Sequence, residues 1–172
     1  MAADDDQEYV GANPTQIMFH AIQASNLDLL KETLAAKPGP NLEGANAIGD
    51  SPVLACIRND SLDALAIILE EEVDVDIGNQ ARDGDRPLHL AVQLEDEDQR
   101  EWSVKQLLEA GSDPKLTNKD GLKPVDLISS SSTDDKVRRL LRDAEAVTAM
   151  RSSDVVDEDD ESDGGTPSEE EE

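Results

Sequence analysis

His89, in the stretch GDRPLHLAV (Gly84 to Val92), is one of two histidines in the chain and the residue best suited by type to act as a general base. That work needs a nucleophile beside it and a third group to orient it. No Ser or Cys accompanies His89 in a recognisable nucleophile motif. Cys56 is the single cysteine and His20 the other histidine. Three such residues cannot supply the usual ligand sets of a zinc site. The acidic stretch DVDIGNQARDGD (Asp74 to Asp85) begins like a calcium-binding EF-hand loop, with Asp74 and Asp76 in the first and third places. It then departs: Gly78 stands where a third ligand belongs, and Asn79 where the sharp turn needs glycine. GPNLEGAN and DGDRP have neither the spacing nor the lysine of a phosphate-binding loop. The residues that could do chemistry therefore point to no enzyme, no metal and no cofactor.

Charge narrows the partners. The chain of 172 residues carries 41 acids against 15 Lys and Arg, a net charge of −26. Four acids lie in residues 1–8 and eleven in residues 152–172, with no Lys or Arg in either segment. The remaining 26 acids and all 15 bases give the body, residues 9–151, a net charge of −11. Direct binding to nucleic acid or to an anionic membrane needs clustered cations, so both are disfavoured. Tyr9, Phe19 and Trp102 are the only aromatics, too few for a base-stacking platform. One cysteine suits a reducing compartment. MAADDDQEYV lacks the basic start and apolar run of a secretory signal, and no stretch is apolar enough for a membrane span. The expected location is the cytoplasm, the nucleus or both.

The elements that position these residues emerge from a long-range repeat. GDSPVLACIRND from Gly49, GDRPLHLAVQLE from Gly84 and GLKPVDLISSSS from Gly121 share Gly, two residues, Pro and an apolar run. A weaker row, PTQIMFHAIQAS, is placed at Pro14, so the rows start at 14, 49, 84 and 121. This register puts Phe19 opposite His89 and leaves His20 one position off, partly exposed and without a role. Downstream lie four short amphipathic stretches: NLDLLKETL, SLDALAIIL, WSVKQLL and DDKVRRLL. Their apolar residues correspond as Leu30, Leu65, Val104 and Val137, then Leu34, Leu69, Leu108 and Leu141. The three-and-four spacing inside each stretch fits one face of a helix. Each unit thus reads as turn, helix, turn, helix, and its apolar face is covered only by stacked neighbours. Ala55, Cys56 and Ala91 are small enough to let first helices approach. Ser51 is an expected N-cap before Pro52, since proline is well tolerated at the first helical position.

These units resemble the ankyrin-repeat family, whose repeat of about 33 residues carries T-P-L-H-x-A. Pro87-Leu88-His89-Leu90-Ala91 matches, with Arg86 in place of Thr; Ser51-Pro52-Val53-Leu54-Ala55-Cys56 is a looser copy. LLEAGSDPKLTNKDG (Leu107 to Gly121) is similar to the family's helix end and hairpin loop. The implied fold is an all-α solenoid of about four helix-turn-helix repeats with hairpin fingers. Its expected boundaries are 13–46, 47–80, 81–118 and 119–146, flanked by acidic disordered segments 1–12 and 147–172. Repeat 3 has about four extra residues between its helices, around EDEDQREW (Glu95 to Trp102), and the loops after repeats 1 and 2 run about two residues longer than the third. Gly111 sits at the usual helix-ending position, held by Lys37 and Glu72 in repeats 1 and 2, whose helix ends are therefore expected to depart from a left-handed cap. Repeats 1 and 4 read as caps.

The resemblance implies that His89 is scaffold, its ring hydrogen-bonding the adjoining hairpin; Leu54 and Asp126 hold that position in repeats 2 and 4. It also implies a protein-binding module, without direct nucleic-acid or membrane binding and monomeric when free. The implied binding surface is the fingers, Asn46 to Asp50, Gln80 to Arg86 and Thr117 to Lys123, with the exposed side of the first helices. Its candidate contacts are Asn46, Asp50, Arg58, Asn59, Arg82, Asp83, Asp85, Arg86, Gln93, Leu94, Asn118, Lys119, Asp120 and Lys123. The acidic tail suits an adaptor or escort (a chaperone) for a basic client such as a ribosomal protein or a histone. The alternative is an assembly or inhibitory subunit that docks by its repeats, with the tail only a solubility device. Thr166 and Ser168 each have an acid three residues on and are candidate sites for an acid-directed kinase.

Overall fold

The computed structural model describes residues 11–71, 73, 75, 84–128 and 135–153, the last three as helix backbone only. Its helices are α1 (Pro14–Gln23), α2 (Leu27–Ala35), α3 (Pro52–Arg58), α4 (Leu62–Leu69), α5 (Pro87–Ala91), α6 (Glu97–Glu109) and α7 (Asp135–Ser153). A 3₁₀ turn, Pro124–Leu127, lies between α6 and α7. No strand occurs among the described residues. The first helices stack as α1 on α3 on α5, and the 3₁₀ turn packs on α5. The second helices stack as α2 on α4 on α6 on α7. This is the expected all-helical solenoid.

Local chemistry sets where each helix begins. Pro14, Pro52, Pro87 and Pro124 each stand directly after the N-cap, where a missing N–H costs no intrahelical bond. Asn13 Oδ1 accepts from the Thr15 N–H at 2.9 Å, while Gln16 Oε1 accepts from the Asn13 N–H at 3.1 Å. Ser51 Oγ accepts from the Leu54 N–H at 3.3 Å, the N-cap role its position implies.

The proline positions correct the register of the first repeat. Pro14 corresponds to Pro52, Pro87 and Pro124, so Gln16, Leu54, His89 and Asp126 are equivalent, and Phe19 matches Val92 rather than His89. Gly11, three residues before Pro14, carries the signal that a row starting at Pro14 misses.

The core is built as the spacing predicts. Leu30, Leu65, Val104 and Val137 are buried, and Leu141 with them, while Leu34, Leu69 and Leu108 pack as half-buried residues against the same cluster. Met18, Cys56 and Ala91 occupy equivalent buried sites on the first helices. Burying these side chains is the main favourable term that holds one repeat to the next.

Three further expectations shift. The extra residues of repeat 3 do not form a loop between helices. Asp96 caps them, its Oδ1 accepting from the Gln99 N–H at 2.9 Å, and they lengthen α6 to 13 residues against 8 in α4. Arg100 fastens the added turn by donating to the Leu94 carbonyl at 2.6 Å. In repeat 4 the first helix gives way to the 3₁₀ turn Pro124–Leu127, which ends at Ile128 in extended backbone, with φ −77° and ψ 125°. The last helix passes the boundary at 146 and runs to Ser153 through AEAVTAM, rich in good helix formers. Gly111 has the left-handed φ of +94° expected of a helix-ending glycine. Ala36, next to Lys37, is instead extended, with φ −65° and ψ 156°; Glu72 lies outside the described residues. Among the described residues no helix is long and apolar enough to cross a membrane.

Candidate functional site: a concave face of fingers and first helices

The finger tips are held by asparagines. Asn46 Oδ1 accepts from the N–H groups of Ile48 at 3.0 Å and Asp50 at 2.9 Å. Its own backbone N–H donates to the Asp50 carbonyl at 2.9 Å. Asn118 repeats the pattern: Oδ1 accepts from Asp120 at 3.0 Å and Leu122 at 3.1 Å, and its N–H donates to the Leu122 carbonyl. Each tip closes at a glycine of positive φ, Gly49 at 93° and Gly121 at 76°. The side-chain oxygens of Asn46 and Asn118 are therefore engaged in the turn.

His89 is scaffold, as its position implies. The ring is wholly buried. Nδ1 accepts from the Arg86 N–H at 3.3 Å, which leaves Nε2 as the protonated nitrogen, donating to the Leu122 carbonyl at 2.9 Å. The histidine so ties α5 to the base of the next finger. Asp126 does the first half of this work in repeat 4, accepting from the Lys123 N–H at 2.9 Å, and Gln16 does it in repeat 1.

Around His89 the remaining polar residues interlock. The Asp85 carboxylate accepts from Asn118 Nδ2 at 2.8 Å and Gln93 Nε2 at 3.3 Å. Gln93 also donates to the His89 carbonyl at 2.8 Å. Lys123 Nζ lies 3.2 Å from a Glu145 oxygen. Asp50 is buried, and its carboxylate pairs with Arg58 Nε at 3.1 Å, so it is an internal anion rather than a surface contact. Asn59 donates to the Ala55 carbonyl at 2.7 Å. Arg86 forms the α5 N-cap; Lys119 and Asp120 are exposed at the third finger's tip. Arg82 and Asp83, like Thr166, Ser168 and most of the loop Asp74 to Asp85, lie outside the described residues.

Two depressions bear on the expected surface. One, of about 690 Å³, lies between α1, the first finger and α3, and contains Asn46 and Asn59 from the expected surface. It also contains residues that the repeat pattern does not single out: Gln16, Phe19, His20 and Gln23 form one face of α1 at helical spacing. Phe19 is half-buried there, and Ile48 at the finger tip is 57% exposed. The other, of about 370 Å³, gathers Arg58, Gln93 and Leu94 between the first helices of repeats 2 and 3. Cys56 lies beneath this face, wholly buried, and desolvation pushes its thiol up to about 12. A thiol kept protonated in apolar surroundings is a packing group, not a nucleophile.

Comparison with known proteins agrees with this geometry. The family model for ankyrin repeats (3 copies) matches residues 17–118. The chain is similar to the ankyrin repeat-containing protein YGL242C of Saccharomyces cerevisiae, 30% identical over 145 residues, covering 78% of this chain and 80% of that protein. In fold it is similar to the crystal structure of an ankyrin repeat domain from Acinetobacter baumannii AYE, with a TM-score of 0.63, 20% identity, and coverage of 81% of this chain and 70% of the other.

Proposed function

The chain belongs to the ankyrin-repeat family, whose members are generally non-catalytic protein-interaction modules, and on that premise we propose that it is a small adaptor or escort with no enzymatic activity. Its client is a protein segment seated on the concave face at the repeat 1–2 end. The observation that carries this reading is the open depression where Phe19 and Ile48 meet the polar side of α1. An apolar anchor ringed by polar groups is the usual makeup of a recognition centre.

The client is basic, in the chemical class of ribosomal proteins and histones. A net charge of −26 supports this, because it speeds encounter with a cationic partner and repels anionic ones. The protein acts as a monomer in the cytoplasm or nucleus. A photo-crosslinking amino acid placed at position 48 tests the reading in native extract, with position 63 on α4 as the control. The expected adduct is a basic protein, formed at 48 and not at 63, in a yield that falls with salt. Equal capture at both positions would refute the concave site. A salt-indifferent adduct with a neutral or acidic protein would favour a subunit that docks by shape.

A further inference from the structure

The chain's cations are unevenly placed. Four of the 15 Lys and Arg fall within seven residues of α7: Lys136, Arg138, Arg139 and Arg142, with no acid between them. They line a groove of about 630 Å³ that α7 forms with Glu101 of α6. Two of these cations are already matched. Lys136 Nζ lies 3.2 Å from Glu101, which raises the lysine's pKa, and Arg138 lies 3.1 Å from Asp135. Arg139 and Arg142 are exposed, and neither forms an ion pair with a described residue. Asp143 lines the same groove without pairing to either.

The same helix runs straight into the most acidic segment of the chain. Residues 154–172 carry eleven acids and no base, and the run Asp157 to Glu161 begins four residues after the end of α7. We propose that this tail folds back and occupies the α7 groove, placing carboxylates from Asp157 to Glu161 on Arg139 and Arg142. The lengths allow it. Arg142 and Arg139 lie about 17 and 21 Å back along the helix from Ser153, at about 1.5 Å per residue. Asp160 and Glu161, seven and eight residues beyond Ser153, reach about 24 to 27 Å in extended chain. Tethering makes the pairing intramolecular, at an effective concentration in the millimolar range. Exposed charges of this kind are screened by salt, so the docked state is ionic-strength dependent. This inference does not depend on what the concave face binds. Its consequence is that a basic client must compete with α7 for the tail.

The test uses the full chain with Cys56→Ala, a substitution to the residue that the sister repeat carries as Ala91, and a nitroxide on Ser162→Cys. Paramagnetic broadening of backbone amides is then read by NMR. The expected result is selective loss of intensity for residues 136 to 142, restored as ionic strength approaches about 1 M, where the screening length falls to about 3 Å. Two variants should also restore it: Arg139→Glu with Arg142→Glu, and the tail variant Asp157→Asn, Glu158→Gln, Asp159→Asn, Asp160→Asn, Glu161→Gln. The tail variant leaves the repeats untouched, so it decides even if the arginine variant misfolds. No selective loss, or loss centred on Phe19 and Ile48, overturns the proposal. Equal loss in a mixture of labelled and spin-carrying chains also overturns it, by assigning the tail to a second copy.

Discussion

The two ends of the concave face solve opposite problems. At the junction of repeats 3 and 4, His89, Asp85, Gln93 and Asn118 spend their hydrogen bonds on one another and on the Leu122 carbonyl. At the junction of repeats 1 and 2, Gln16 takes the place of His89, and the depression beside it is lined by Phe19, Ile48 and the outward side of α1. The first junction is closed and polar, and the second is open and partly apolar. A repeat array can thus dedicate one seam to its own rigidity and leave another for a partner, because each repeat contacts only its neighbours.

Removing the centre of the closed seam should cost most. His89→Ala takes away a donor and an acceptor and leaves the Leu122 carbonyl and the Arg86 N–H short of partners, beside a cavity where the ring was. The expected loss is about 2–4 kcal/mol, read from urea unfolding at constant m-value. Leu54→Ala removes only apolar contact, yet it too belongs in that range. What separates the two is rescue: His89→Gln should recover some of the loss through its amide, whereas Leu54→Gln should not.

The glycines sharpen the same contrast. Gly84 and Gly121 both have left-handed φ, +88° and +76°, so an alanine is strained at each. At Gly121 nothing lies within 4 Å of the added carbon, and Gly121→Ala should cost about 1 kcal/mol. At Gly84 the carbon would run into the Lys119 side chain and lie 2.9 Å from the Lys119 backbone nitrogen. Gly84→Ala must push neighbouring fingers apart as well as bear the strain. Its cost should exceed that of Gly121→Ala, and thermal melts of the two variants side by side decide the matter.

How much of this was legible in the sequence follows from which signals are local. The repeats were readable because each first helix starts at a proline and each second helix repeats its buried leucine or valine. The identity of His89 as scaffold was readable from its motif. The site was less so, for two physical reasons. Asn46, Asp50, Asp85 and Asn118 look like free polar contacts in one dimension, and only the fold reveals that they bond to neighbours, up to 33 residues away for Asp85 and Asn118. Phe19 was hidden by the choice of Pro14 rather than Gly11 as the start of the first row, a three-residue slip that turns α1 by most of a turn and changes which face meets the groove. The repeat spacing places the extra residues of repeat 3 between its helices, but acids near a helix N-terminus favour helix, and the run from Asp96 to Asp98 extends α6 instead.

The asparagines give a smaller, paired effect. Asn46 and Asn118 hold equivalent tips by equivalent backbone bonds, but only Asn118 also donates to Asp85. Asn46→Ala should cost about 1 kcal/mol, and Asn118→Ala more by the worth of one charge-assisted bond, about 1–2 kcal/mol. If Asp85→Ala is made first, the difference between the two should close. A double-mutant cycle that leaves it open would mean the Asp85–Asn118 contact carries no energy.

The smallest expected effect on stability is the one that matters most for function. Ile48 donates its backbone N–H to Asn46, while its side chain is 57% exposed. Ile48→Asp keeps the N–H and the turn, so the melt should shift by less than about 0.5 kcal/mol. Yet it puts a charge at the lip of the open depression, where a bound client would have to bury it. Binding measured by the crosslinked client's own affinity should fall at least tenfold, or about 1.4 kcal/mol. The same aspartate placed at exposed Leu122, on the closed seam, should leave that affinity unchanged. Were Leu122→Asp the damaging change and Ile48→Asp the silent one, the assignment of the two ends would have to be reversed. The polar lattice around His89 would then be the platform on which a partner sits, and the groove at Phe19 an idle gap between a capping helix and its neighbour.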